Sequence, residues 1–482
     1  MSLAKRAKRW ARYGWWIALP LTLLIGYWFL PISGQVIILP DTVTSSWPQM
    51  HLLDGHIVQI TDNTPWPFVL LTVNGRAITS PQWRKNPGGT WTWTWHVYTS
   101  EKPTRWAFYH DCHTGCRERG RWSTGTPSLT PTPAAIPTKL GVVFADPARD
   151  WHGHSGWDVE LTYARLAETP FWGIDDLAWR VTQAADNGLR VLVRVDYAQG
   201  QSIPPTGDQL ALTEYLAYLR RLARDERLRP VYGYLLGSGF NALDANALAL
   251  ARPVTPEWYA RLFNGYGEPP DHTDNAIQTM HTENAQVRVL VGPVRPWNVD
   301  QGGARRWTID APWLNYMHTL VAALDESARA KSALGIPSAA PDGFALHAPG
   351  RPELAGDNAA QEPLLDLHTP EWGAAQAGFR VYRDWLDIIN AYPTTAGRPV
   401  YLTSVNTYTA AENVPPVQNY PTGWLSAALQ AVNQEPQIEA LCWFVDLERS
   451  GADTWDWFSL SKRPGRLIYA AEEFDALLQT RP

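Results

Sequence analysis

Cysteine is scarce in this chain, with three residues among 482, at Cys112, Cys116 and Cys442. No second paired cluster exists from which a structural metal site is completed, and no metal ion is expected. A basic excess is missing too: 41 Lys and Arg stand against 47 Asp and Glu. Five of those basic residues, Lys5, Arg6, Lys8, Arg9 and Arg12, crowd the first twelve positions. Setting them aside leaves 36 basic residues against 47 acidic ones, a net charge of −11 for the rest. A body this acidic is a poor tracker of phosphates, so no nucleic-acid partner is expected. Also absent are a Gly-x-Ser-x-Gly elbow, a His-Glu-x-x-His helix and a Walker-type loop. Nucleophile-elbow hydrolases, zincins and nucleotidases have no support, and no cofactor is expected.

What is present is an ordinary globular balance, 45% hydrophobic and 18% charged. At roughly 100–200 residues per domain, the length suggests two or three domains. The 26 Trp, 19 Tyr and 12 Phe point to stacked cores, interfaces or sugar-facing platforms, since indole offers a large flat apolar face and one donor.

No acid precedes Asp41, and residues 15–30, from Trp15 to Leu30, carry no charge at all. Continued through Ile32 and Val36 to Leu39, the apolar stretch reaches the roughly 20 residues of a membrane span. The basic cluster keeps the N-terminus cytoplasmic under the positive-inside rule, and Trp15, Trp16, Tyr27 and Trp28 lie where rings favour the interface. Residues 1–40 thus read as a basic tail and a single-pass transmembrane anchor at the cell membrane, with the body extracytoplasmic. A cleaved signal peptide is the competing reading, with Ser33-Gly34 as a weak cleavage site. In an oxidising compartment Cys112 and Cys116, within His110-Asp111-Cys112-His113-Thr114-Gly115-Cys116, are expected to form a disulfide. The alternative is a metal site using both thiolates and His110 or His113. Cys442 lies in an apolar run, as a buried thiol does.

Residues 41–121 show period two and no helical stretch. Phe68 to Val73 ends at Asn74-Gly75, a hairpin signal, and Trp106 to His110 is another strand. Trp91-Thr92-Trp93-Thr94-Trp95 places three indoles on one face, either as core or as an exposed platform. A small β-sandwich is expected. Residues 122–138, with four prolines among Ser and Thr, form a semi-extended linker.

From 139 to 482 short apolar strands alternate with amphipathic helices. Strands are expected at 140–145, 161–166, 190–197, 231–237, 287–293, 343–348, 399–405 and 440–446. Helices are expected at 174–187, 209–225, 311–329, 373–391, 424–433 and 466–478. Eight strands, most followed by a helix, make an α/β fold of the (β/α)8 TIM-barrel type. A doubly wound open sheet is the weaker alternative, because no glycine-rich phosphate loop accompanies the repeats.

Three segments give this region a family likeness. They are Val231-Tyr232-Gly233-Tyr234-Leu235-Leu236-Gly237-Ser238-Gly239-Phe240-Asn241 at strand four, Arg398-Pro399-Val400-Tyr401-Leu402-Thr403-Ser404-Val405-Asn406-Thr407 at strand seven, and Leu441-Cys442-Trp443-Phe444-Val445-Asp446 at strand eight. Residues 139–482 resemble the clan A glycoside hydrolases, the retaining (β/α)8 glycosidases. The resemblance implies an acid/base Glu after an Asn at the end of strand four, a nucleophile Glu ending strand seven and a sugar-platform Trp ending strand eight. Trp443 fits. Ser238 stands in place of the Asn, Gly239 in place of the acid/base and Ser404 in place of the nucleophile. A retaining enzyme needs two carboxyls about 5–5.5 Å apart. An unassisted Ser is neutral and buffers no proton near pH 7, and Gly239 has no side chain, so hydrolysis is expected to be lost.

Asp196 and Asp446, at the ends of strands three and eight, are the substitute carboxylates, with Asp146, Asp150, Asp244, Glu412 and Glu448 in loops. His152, His154 and His347 are candidates for proton transfer or metal binding. The expected binding residues are Trp443, His347, Asn241 and Asn406, joined by loop indoles at Trp297, Trp307, Trp455 and Trp457. The expected role is interaction with a protein partner or a glycan at the cell surface, or as an accessory subunit. An active glycosidase with relocated carboxylates is the alternative.

Overall fold

The computed structural model describes residues 36–38, 48–53, 57–63, 65, 68–78, 81–86, 89–97, 105–110, 116–123, 136–169, 172–249, 252–269, 274–300, 302–307, 309, 311–337, 339–349, 365–406, 422–447, 455, 458–462 and 467–480. Most of the expected anchor and of the expected linker lie outside them; of residues 1–40 only 36–38 are described, and they form a strand rather than the end of a span. Among the described residues no helix is long and apolar enough to cross a membrane. The chain divides into two compact units, Met1–Leu129 and Thr130–Pro482.

The first unit is built from β1 (Val36–Ile38), β2 (Gln49–Leu53), β3 (Ile57–Asp62), β4 (Val69–Val73), β5 (Arg76–Ile78), β6 (Gln82–Lys85), β7 (Trp91–His96), β8 (Arg105–His110) and β9 (Arg117–Ser123). One sheet runs β1-β2-β3-β7-β6 and the other β5-β4-β8-β9, with neighbours antiparallel. Asn74 and Gly75 form the β4–β5 turn, both at positive φ (48° and 82°), as a two-residue I′-type hairpin requires. Val58, Ile60, Trp93 and Trp95 of the first sheet share a core with Leu71, Val73, Trp106, Phe108 and Trp122 of the second, which makes the unit sandwich-like. Trp93 and Trp95 are therefore core residues. Trp91 is half-buried beside the exposed Trp83, ring centroids 5.2 Å apart. Cys116 is disulfide-bonded, Cys442 is a free buried thiol, and Cys112 lies outside the described residues.

In the second unit eight parallel strands close on themselves: β10 (Ile136–Val143), β11 (His154–Tyr163), β12 (Arg190–Asp196), β13 (Val231–Leu236), β14 (Val289–Val291), β15 (Gly343–His347), β16 (Val400–Ser404) and β17 (Ile438–Trp443). This is the expected (β/α)8 barrel. Strand two departs from expectation, since β11 begins at His154 and ends at Tyr163, where a strand was expected over 161–166. Alternation splits each strand between two layers. Val159, Leu161, Leu192, Leu235, Leu290, Ala345, Tyr401, Ala440 and Cys442 pack inside the barrel. Val191, Val193, Val195, Leu236, Val289, Leu346, Leu402 and Leu441 pack outward in the core shared with the helices.

Helices at Ile174–Asp186, Gln209–Arg224, Pro312–Ala333, Trp424–Asn433 and Leu467–Gln479 match expectation closely. The helix expected over 373–391 spans only Val381–Asn390, because residues before it form turns containing Gly373 at φ 60°. Two helices escaped the sequence pattern, Pro256–Asn264 and Ala276–Glu283. The first has Thr255 as N-cap, accepting from the Trp258 N–H, and Pro256 in the first turn, where its missing N–H costs nothing. At the N-terminal end of the barrel the Arg190 guanidinium lies 3.8 Å from the Trp157 ring centroid and that of Arg288 lies 4.2 Å from Tyr232. Tyr401 packs edge-on to both rings, so this end is filled with stacked side chains.

Candidate ligand-binding site at the barrel mouth

The C-terminal ends of the strands surround a cavity of about 820 Å³. β12 supplies its first polar pair. Arg194 and Asp196 alternate with outward-facing Val193 and Val195, so both project inward. The Arg194 Nε and Nη2 donate to the two Asp196 oxygens at 2.9 and 2.5 Å. Burial raises the Asp196 carboxyl above its ordinary range, against the opposing pull of Arg194. Next to it in register, the Tyr163 phenol is pushed up to about 12, by burial first and then by Asp196.

After β13 the chain turns through Gly237 and Gly239, at φ 70° and 63°. A Cβ on Gly237 would sit 2.5 Å from Ile203 Cγ2, so no side chain fits there. Between the two glycines, the Ser238 N–H donates to Ser202 Oγ (2.7 Å), and Ser238 Oγ lies 3.4 Å from His347 Nε2. Over Gly239 lies Arg295, from the loop after β14: a Cβ there would be 3.3 Å from Nη2 and 3.4 Å from Nε. The buried Asn241 positions that loop, its side chain accepting the Arg295 N–H (2.7 Å) and donating to the Arg295 carbonyl (3.0 Å). Arg295 Nη1 then reaches Asp244 Oδ1 at 2.6 Å.

His347 ends β15 and faces these groups. Burial, then Arg194, then Arg295 push its imidazole down to about 3, so it is neutral at physiological pH. A Ser238–His347 pair therefore makes a poor nucleophile and base, because a base this weak captures little proton at neutral pH. Phe144, Phe444 and Trp455 supply an apolar wall, with Phe144 and Trp455 stacked at 5.7 Å and 22°.

The structure distributes the expected site residues unevenly. Ser238, Ser404, Asp196, His347, Asp244, Trp297 and Trp455 line the cavity. Trp443 does not. Strand alternation places Ala440 and Cys442 inward and Leu441 and Trp443 outward, so its indole packs against Trp424 and donates to the Phe458 carbonyl. Phe444 takes the mouth position instead. Asn406 and Asn241 are buried braces rather than ligand contacts: Asn406 bonds both the N–H and the carbonyl of Phe444. Asp446 is fully buried away from the cavity, held by Arg149, the Asp146 N–H and Ser461.

His152 is paired with exposed Asp150, His154 is buried against the Trp151 carbonyl, and Trp307 stacks on His318. Among the described residues no cluster fit for a metal ion occurs. Glu412, Glu448 and Trp457 lie outside them. Sequence reasoning missed Arg194, Arg295, Glu160, Tyr163, Ser202 and Thr403. The alternation of β12, once its inward phase is set by Asp196, was signal enough for Arg194.

No family model and no curated protein matches the chain. Solved structures do. A glucosidase from Croceicoccus marinus aligns with TM-score 0.43 and 13% identity, covering 71% of this chain and 68% of its own. A GH5-4 broad specificity endoglucanase from Clostridium acetobutylicum aligns with TM-score 0.38 and 12% identity over 71% and 97% of the two chains. An endocellulase from Pyrococcus horikoshii gives 0.37 and 10% over 78% and 97%. At these identities and TM-scores the likeness gives this chain neither a family nor an activity.

Proposed function

We propose that this is a membrane-anchored, extracytoplasmic protein whose glycosidase-like barrel holds a carbohydrate without hydrolysing it, in an accessory or interaction role at the cell surface. One observation carries the reading: every carboxylate lining the cavity among the described residues is ion-paired. Glu160 is held by buried Arg180 at 2.6 Å, Asp196 by Arg194 and Asp244 by Arg295. The guanidinium of Arg295 also fills the space into which a side chain at position 239 would project. Retaining hydrolysis needs a proton donor and a nucleophile at the scissile bond, and a carboxylate paired with a guanidinium is disfavoured as the proton donor. The aromatic wall and the ring of hydroxyls suit a pyranose, whose apolar face stacks while its edge hydrogen-bonds.

Full-length protein in mild detergent is expected to show no turnover of aryl glycosides or oligosaccharides across the accessible pH range. Asp196, buried in the cavity with a raised carboxyl, favours one second reading, a hydrolase with relocated carboxylates. Turnover abolished by Asp196→Asn would replace the first reading with that one. The anchor has its own test. Protease added to intact cells is expected to digest the barrel, and an ectodomain cut only after lysis would refute the orientation.

A further inference from the structure

The cavity floor holds donors that the protein leaves unused. Arg194 bonds Asp196 through Nε and Nη2, which leaves Nη1 without an acceptor. Arg295 bonds Asp244 through Nη1 alone, so Nε and Nη2 over Gly239 have none. Thr403, on β16, is 4% exposed and its buried Oγ1 has no hydrogen-bond partner. A guanidinium has no acceptor capacity, so whatever satisfies these groups must bring lone pairs.

The field at the floor has a sign. His347, 3.4 Å from Ser238 Oγ, feels both guanidiniums, which act with burial to weaken its hold on a proton. Asp244 is 71% exposed, so water screens its charge. Both guanidiniums remain partly open, at 32% and 42% for Arg194 and Arg295.

We propose that the floor recognises an anionic sugar, a pyranose bearing a carboxylate, with the carboxylate taken by Arg194 and Arg295 and the ring laid against Phe144, Phe444 and Trp455. Planar guanidinium donors match a carboxylate's two oxygens, and Thr403 donates to a ring substituent. This rests on the carbohydrate-holding reading and narrows it to a charge class.

The test is calorimetric titration of full-length protein in mild detergent with three probes: a disaccharide ending in glucuronic acid, its match ending in glucose, and inorganic sulfate. The uronate is expected to bind at least about tenfold tighter than the glucose match. Raising salt from about 50 to about 500 mM should weaken the uronate and leave the neutral sugar unchanged. Arg295→Gln should remove most of that preference, while Arg295→Lys retains part of it. Thr403→Val, which keeps shape, should weaken both sugars severalfold; it serves as the independent variant if Arg295→Gln does not fold. Equal binding of the two sugars overturns the charge assignment and leaves the carbohydrate reading standing. Binding of neither sugar overturns both. Sulfate bound as tightly as the uronate overturns the sugar part and leaves a simple anion site.

Discussion

Arg149→Met is expected to cost about 3–5 kcal/mol of stability, the range for leaving one member of a buried ion pair alone. Asp446 is fully buried, and Arg149 holds it with two bonds, Nε to Oδ2 at 2.9 Å and Nη2 to Oδ1 at 2.5 Å. The same guanidinium reaches Asp475, tying the end of β17 to the C-terminal helix Leu467–Gln479. Methionine preserves much of the length and apolar contact but removes the charge, leaving the carboxylate with the Asp146 N–H and Ser461. Urea denaturation at neutral pH reads the loss directly. The double variant Arg149→Met/Asp446→Asn should recover part of it, because no unpaired charge then remains. A loss under about 1 kcal/mol would show that the pair is solvated and that Asp446 is available for other work.

The second large effect is set by pH. His347 is pushed down to about 3 in the folded protein, whereas an unfolded histidine titrates near 6.5. Above that value neither state binds the proton and the group contributes nothing. Below it the unfolded chain takes up a proton that the folded protein refuses, so stability falls as pH falls. The slope is about 1.4 kcal/mol per pH unit, which amounts to about 3 kcal/mol by pH 4. His347→Gln should remove this component, so that variant and parent melt further apart at pH 7 than at pH 4, or even exchange order. Parallel losses in the two proteins would show that water in the cavity solvates the imidazolium and cancels the repulsion from Arg194 and Arg295.

Much of the barrel was legible in the sequence because strands buried on both faces read as short apolar runs, and eight such runs are hard to mistake. The same property hides their phase. In Ala440-Leu441-Cys442-Trp443-Phe444 every residue is apolar, so nothing in the pattern says which ring faces inward, and Trp443 was assigned to the mouth that Phe444 occupies. Asp196 was placed well because a carboxylate at the end of a barrel strand has few tolerable positions. Arg295 was invisible for the opposite reason. It sits in a loop whose course is fixed by Asn241, a contact spanning more than fifty residues that no local spacing encodes. The two missed helices between β13 and β14 are short, and tertiary packing rather than period makes them stable.

The filled N-terminal end of the barrel has a consequence for traffic. With Arg190 on Trp157 and Arg288 on Tyr232, the described residues leave no second door at that end. Whatever reaches Leu235 and Arg194 enters and departs along one path, and two guests cannot exchange by passing through. A polymer must therefore present a chain end to the floor or lie across the rim, and a short ligand must leave before its successor arrives. Residence time is then governed at the single mouth, where the aromatic wall stands.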